Sequence, residues 1–105
     1  MILRAWRSFA AVSDAERYPR HLLETVKPKL EGISGFLGLY LLRRRDGTEV
    51  EYQVLTLWDS METIHTFAGP RPERAVVEPE AESVLLRFDT EVRHYEVLAH
   101  PANPS

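Results

Sequence analysis

Two β-rich runs, residues 35–45 and 48–58, flank the dipeptide Asp46-Gly47, and this arrangement restricts the fold more than any other feature of the chain. Both turn residues tolerate positive φ, so Asp-Gly between such runs predicts a tight β-hairpin. Placing Arg45 opposite Thr48 sets Arg44 against Glu49, Leu42 against Glu51, Leu41 against Tyr52, Leu39 against Val54 and Phe36 against Leu57. Away from the turn both faces are apolar, with Leu37, Leu39 and Leu41 on one and Phe36, Leu55 and Leu57 on the other. One layer of helices covers only one of these faces, so the other needs a cover of its own.

The flanking segments complete a pattern. Residues 1–9 alternate as a strand does, with Arg4 and Trp6 sharing one side. Ser13 and Glu16 have the spacing of a capping box, which predicts a helix start there. Ala15, Tyr18, Leu22, Val26 and Leu30 then form an apolar stripe that ends at Gly32. Pro19 and Pro28 remove backbone donors from this helix and predict a loose first turn and a bend near Lys27. Residues 60–68 read as a short helix capped by Asp59 or Ser60 and stopped by Gly69-Pro70. Three prolines restrict residues 71–86 to short helical pieces, and residues 89–99 alternate as the last strand. The order β-α-β-β-α-β is the ferredoxin-like plan, an α+β fold with a four-stranded antiparallel sheet and helices on one face. It occupies residues 1–98, and residues 99–105 are expected to form a flexible tail.

Composition removes several functional classes. At 105 residues the chain is one domain, and its 44% hydrophobic content supports one core. With 13 basic against 16 acidic residues and no concentrated basic face, it is not expected to bind nucleic acid. The absence of cysteine excludes disulfides and thiolate metal sites. No apolar run reaches the roughly 20 residues of a membrane span, and the first residues lack a secretory pattern, so a cytoplasmic location without membrane contact is expected. There is no phosphate loop, dinucleotide fingerprint, nucleophile elbow or two-histidine metal motif.

Ile2-Leu3-Arg4-Ala5-Trp6-Arg7, residues 28–38 with their Gly35-Phe36 strand start, Leu55-Thr56-Leu57-Trp58-Asp59-Ser60-Met61-Glu62 and Val92-Arg93-His94-Tyr95-Glu96-Val97 together carry a resemblance to the antibiotic biosynthesis monooxygenase domain family of the dimeric α/β-barrel group. It implies a homodimer whose sheets pack face to face, which would cover the second apolar face, and a pocket in each subunit between sheet and helices. It also implies one of several activities: cofactor-independent oxygenation of planar aromatic, polyketide-like molecules, haem degradation, or no catalysis. In haem degraders of this family an asparagine lies on the first strand, a tryptophan on the second helix and an iron-binding histidine after it. Here Trp6 and Phe67 stand near the first two positions, and no histidine occurs between Thr66 and Arg93. Haem is therefore a distant third reading, behind an oxygenase without a cofactor and a non-catalytic dimeric module that binds a small molecule or assists a pathway.

Oxygenation without a cofactor requires a base to ionise the substrate, polar groups to hold the anion and aromatic walls to exclude water. His94 and His65 are the candidate bases in structured segments, since histidine titrates near neutrality. His94 reads equally as a hydrogen-bonded barrel histidine, and His65 as a rim residue. Arg4 beside Trp6 forms a possible cradle for a planar anion. Phe67, Tyr40 and Tyr52 complete the candidate substrate-binding set, although the two tyrosines fall on opposite hairpin faces and cannot line one pocket together. No metal site is expected. Glu78, Glu80 and Glu82 read as a solvated acidic loop.

Overall fold

The structure is a computed structural model that describes residues 1–101; the remainder of the expected tail, residues 102–105, lies outside the described residues. Five strands form one antiparallel sheet: β1 (Ile2–Ala11), β2 (Phe36–Asp46), β3 (Glu49–Trp58), β4 (Arg87–Phe88) and β5 (Arg93–Glu96). The order is β2-β3-β1-β4, with β5 also paired to β1. This is the expected ferredoxin-like order with its last strand broken in two. β4 pairs with Ser8 and Phe9, and β5 pairs with Ile2 through Ala5. Between the two pieces, Asp89 accepts the Trp6 indole N–H through its carbonyl at 2.7 Å, and Glu91 bridges to Arg74. The chain leaves the sheet edge there because these side-chain and loop partners replace ladder bonds.

The hairpin forms with Gly47 at φ 64°, but the two turn residues are Gly47-Thr48 and not Asp46-Gly47. Asp46 pairs with Glu49, and from Arg44 to Leu39 the expected cross-strand partners move by two residues: Leu41 faces Val54, Leu39 faces Thr56 and Arg44 faces Glu51, whereas Phe36 faces Trp58, a move of one. A two-residue slip keeps each side chain on its own face, so the inside-outside pattern survives the wrong register. A bulge between Phe36 and Gly38 makes the one exchange of faces. It turns Phe36 inward against Trp58, with ring centroids 5.2 Å apart, and leaves Leu37 exposed.

The apolar stripe of the first helical segment lies against the sheet as expected, with Tyr18, Leu22 and Leu30 buried. Its ends and middle depart from the simple reading. The capping box does not form: Ser13 lies in a 3-10 turn, Val12–Asp14, and α1 (Arg17–His21) starts at an N-cap, Glu16, without a side-chain bond. A π-helical turn, Leu22–Val26, then leads into α2 (Lys27–Glu31). In that turn the Lys27 N–H bonds to the Leu22 carbonyl, and Pro28, which has no N–H to donate, follows directly. The expected bend is thus realised as a wider helical turn that absorbs the missing donor. α3 (Met61–Ala68) begins at Ser60, whose Oγ accepts the Thr63 N–H at 3.3 Å, and α4 (Pro79–Val84) is the short helix allowed by the proline-rich connection.

Helices cover one sheet face, where every second residue of β3 from Val50 to Trp58 is buried. The core divides into two clusters. Tyr18, Leu22, Tyr52 and Val54 form the larger, and Leu30, Trp58 and Ile64 the smaller, with Val26 packed on both. Each large side chain so buried contributes about 1.5–3 kcal/mol. The opposite face carries Leu3, Leu55 and Leu57 half-buried, with Tyr40, Leu42 and Tyr95 exposed among them.

Gly35 joins the hairpin to the cap of α3. It has φ 96°, its carbonyl accepts the Asp59 N–H, and an added Cβ would lie 2.6 Å from Asp59 Oδ1 and 2.7 Å from Thr63 Oγ1. Gly35→Ala is expected to lower stability by about 1–3 kcal/mol, through backbone strain and loss of the Asp59-Ser60-Thr63 cap, measured by urea unfolding.

Candidate functional site

Between the two core clusters lies a cavity of about 310 Å³, at the small end of the range of about 300–1,000 Å³ for small-molecule sites. Its floor is the helix-covered sheet face, including Arg4, Trp6 and Val54. Leu22, Val26 and Leu30 of the first helical segment form one wall. Val76, Val77 and Glu78, from the connection before α4, form the roof, and Phe67 of α3 closes one end. The lining is mainly apolar because it is the unfilled middle of the core.

Arg4 is the central polar group. Only 5% of its surface is exposed, and among the described residues no carboxylate lies within ion-pair distance. Instead it donates to the backbone carbonyls of Pro72 and Arg74, the latter at 2.9 Å, and lies 2.9 Å from His94 Nε2. Its guanidinium stands over the Phe67 ring, 5.8 Å from the centroid. Burial lowers its pKa to about 10, which still leaves it charged at neutral pH.

His94 is consequently tied to Arg4. Arginine can only donate, so His94 Nε2 accepts and the ring is neutral with its proton on Nδ1. Burial, and then the Arg4 charge, push its pKa down. His94 does not line the cavity, and its basic nitrogen is occupied. His65 is exposed on α3, with Nδ1 3.3 Å from the Gly69 carbonyl. Of the candidate binding residues, Arg4, Trp6 and Phe67 meet in the cavity wall, whereas Tyr40 lies exposed on the opposite sheet face. Tyr52 is fully buried on the cavity side but outside the lining, and its hydroxyl donates to the Ala15 carbonyl. The Trp6 N–H is used by Asp89, so its ring offers the cavity a fixed apolar wall. Phe67 is held by stacking on Trp58 at 5.3 Å.

Sequence reasoning passed over His21. It sits in the cavity wall, 6% exposed, with Nε2 3.6 Å from Glu78 and Nδ1 3.2 Å from Glu80. Its place one residue before Leu22 in the apolar stripe was the available signal. Tyr18, also in the wall, has its phenol pKa raised by burial and then by Tyr52.

Among the described residues no group of three or more His, Cys, Asp or Glu side chains is arranged to hold a metal ion. Haem also fits poorly. Among the described residues His21 is the one histidine in the wall, and both of its nitrogens are buried beside glutamates and not presented to the cavity.

A histidine whose pKa is lowered in the native state stabilises the fold above its unfolded value, and that contribution is lost as pH falls below about 6.5. Wild-type protein is therefore expected to lose stability between pH 7.5 and 5.5 more steeply than His94→Gln, as measured by urea unfolding.

No protein-family model matches the chain, and no curated protein matches it. Solved structures do. A candidate antibiotic biosynthesis monooxygenase from Bacillus cereus superposes with a TM-score of 0.61 at 17% identity, covering 100% of this chain and 98% of its own. The haem-degrader MhuD of Mycobacterium tuberculosis, solved with two haems in its active site, gives 0.62 at 23% identity over 97% and 100% of the two chains. SnoaB, a cofactor-independent oxygenase from Streptomyces nogalater, gives 0.58 at 14% identity over 99% and 98%. The chain therefore has the ferredoxin-like α+β fold seen in structures of antibiotic biosynthesis monooxygenases.

Proposed function

We propose that this protein is a cofactor-independent monooxygenase acting on a planar, acidic aromatic molecule of the polyketide type. The observation that carries this reading is Arg4, a desolvated cation with no carboxylate within ion-pair distance among the described residues, set in the wall of a mainly apolar cavity beside Trp6 and Phe67. A buried charge without a counter-ion is costly, and a ligand that brings an anion relieves that cost. In this reading the aromatic body of the ligand lies against the Trp6 and Phe67 walls, with its enolate or phenolate oxygen toward the guanidinium.

The chemistry needed from the protein is limited. Holding the ionised form of the ligand makes it electron-rich enough to transfer an electron to oxygen. For an activated CH2 group the overall change is conversion to C=O, with one atom of O2 retained and the other released as water with the two hydrogens. Arg4 stabilises the anion, and the apolar lining keeps bulk water from the intermediates.

A second reading is supported by the state of His94. Because its lone pair is bound to Arg4, the base expected from the sequence is absent from the cavity, which suits a module that binds such a molecule without turning it over. Oxygen uptake with an anthrone separates the two readings. Catalysis is expected in the wild type, with a loss of about 10–100-fold in Arg4→Gln. Tight binding with no oxygen uptake by the wild type would establish the binding module instead.

The proposed active form is a homodimer joined through the uncovered sheet face, where Leu3, Tyr40, Leu42, Leu55, Leu57 and Tyr95 lie together. A face of this kind fits the apolar, obligate class of interfaces. Light scattering at micromolar concentration is expected to give the mass of two chains, and Leu55→Glu is expected to give one. A monomeric wild type would refute this assembly.

A further inference from the structure

His21 is the least explained side chain in the molecule. It is buried, yet neither ring nitrogen makes a hydrogen bond. Buried imidazoles are normally satisfied, so a glutamate near each nitrogen calls for a reason. The glutamates belong to different surroundings. Glu78 lines the main cavity, and its carboxylate is held from the other side by Lys29 at 3.3 Å. Glu80 lines a separate outer depression of about 220 Å³, and 69% of its side chain is exposed. His21 lines both spaces. Cavity, Glu78, His21, Glu80 and solvent thus follow in that order, with steps of 3.6 and 3.2 Å on the two sides of the ring.

We infer that Glu78, His21 and Glu80 form a relay that carries the ligand's proton out of the cavity, with Glu78 as the group that touches the ligand. This rests on the proposed acidic aromatic substrate, and it supplies the base that His94 does not. The ligand's acidic O–H or C–H bond breaks, its electron pair stays on the ligand as the anion facing Arg4, and the proton goes to the Glu78 carboxylate. Glu78 passes it to Nε2 of a neutral His21 while Nδ1 gives up its own proton to Glu80, which releases one to water. The charge balances at each transfer. A neutral imidazole suits the middle position because it has one donor and one acceptor nitrogen. Neither step is a hydrogen bond in this structure, and both are of the kind that tighten when a ligand seats. Arg17, Arg20 and Glu24 rim the outer depression and are the remaining charged groups there.

A merely structural clamp between α1 and α4 makes a different prediction, and the ionisation of a bound probe separates the two. The probe is 1,8-dihydroxyanthrone mixed under nitrogen with the full chain. Binding is read from tryptophan fluorescence and ionisation from the visible absorbance of the enolate in stopped flow. Glu78→Gln and His21→Gln are expected to bind within about threefold of wild type and to ionise the probe about 100-fold more slowly. Glu80→Gln, at an exposed position, is expected to slow ionisation about tenfold with unchanged unfolding. Wild-type ionisation rates in Glu78→Gln and Glu80→Gln would overturn the relay, even if His21→Gln fails to fold. Weaker binding with an unchanged ionisation rate of the bound probe would show a clamp and overturn it equally. Failure of the wild type to bind the probe would instead remove the substrate reading, and the relay with it.

Discussion

The buried guanidinium of Arg4 organises the candidate site. It rises from near the start of β1 and is held by two main-chain carbonyls, those of Pro72 and Arg74, from a segment rich in proline and poor in regular structure. Such a segment has few ladder bonds of its own, so these side-chain bonds help fix it across the sheet. The same contacts raise a roof, Val76 to Glu78, over the space between the two core clusters. With no carboxylate within ion-pair distance among the described residues, the cation gives that mainly apolar space a strongly directional feature. Structure and proposed chemistry therefore meet in one side chain: the group that ties the roof down is also the group proposed to hold the ligand's anion.

The two faces of the sheet divide the work. Helices cover one face incompletely, leaving a cavity where Val26 spans from one cluster to the other. The other face keeps apolar side chains half-buried in a lone chain, in the pattern expected of a surface that meets a second sheet. Solved structures with this fold include a haem degrader and a cofactor-independent oxygenase. Fold alone does not select a reaction, and the side chains of the cavity carry that choice. Here they present an arginine, aromatic walls and a histidine enclosed by glutamates, whose ring nitrogens are buried and not open to iron.

Much of the fold was legible because its signals are local. The stripe from Tyr18 to Leu30, the Ser60 cap of α3 and the Gly47 turn each depend on neighbours within a few residues. The strand order followed from the sequence of elements. The details that failed are those settled by competition between distant groups. The turn moved by one residue on each side, and the bulge at Leu37 exchanged two side chains between faces. The final strand broke because Trp6 and Arg74 offered its backbone other partners. At the site, Arg4 and Trp6 were recognisable from their shared strand face. His94 looked like a base until Arg4 was seen to occupy its lone pair.

From the residue order alone came an α+β domain with a two-faced hairpin, a helix of known apolar stripe and an arginine beside a tryptophan on the first strand. Periodicity, capping and turn chemistry act over short separations, so they can be read along the chain. Which histidine borders the cavity was decided only when α1 and the segment around α4 packed together. His21, Glu78 and Glu80 lie more than fifty residues apart in sequence across that contact, yet within 3.6 Å in space. No periodic pattern records such a meeting, because it depends on how helices seat on the sheet and on how one buried cation pins the connection between them.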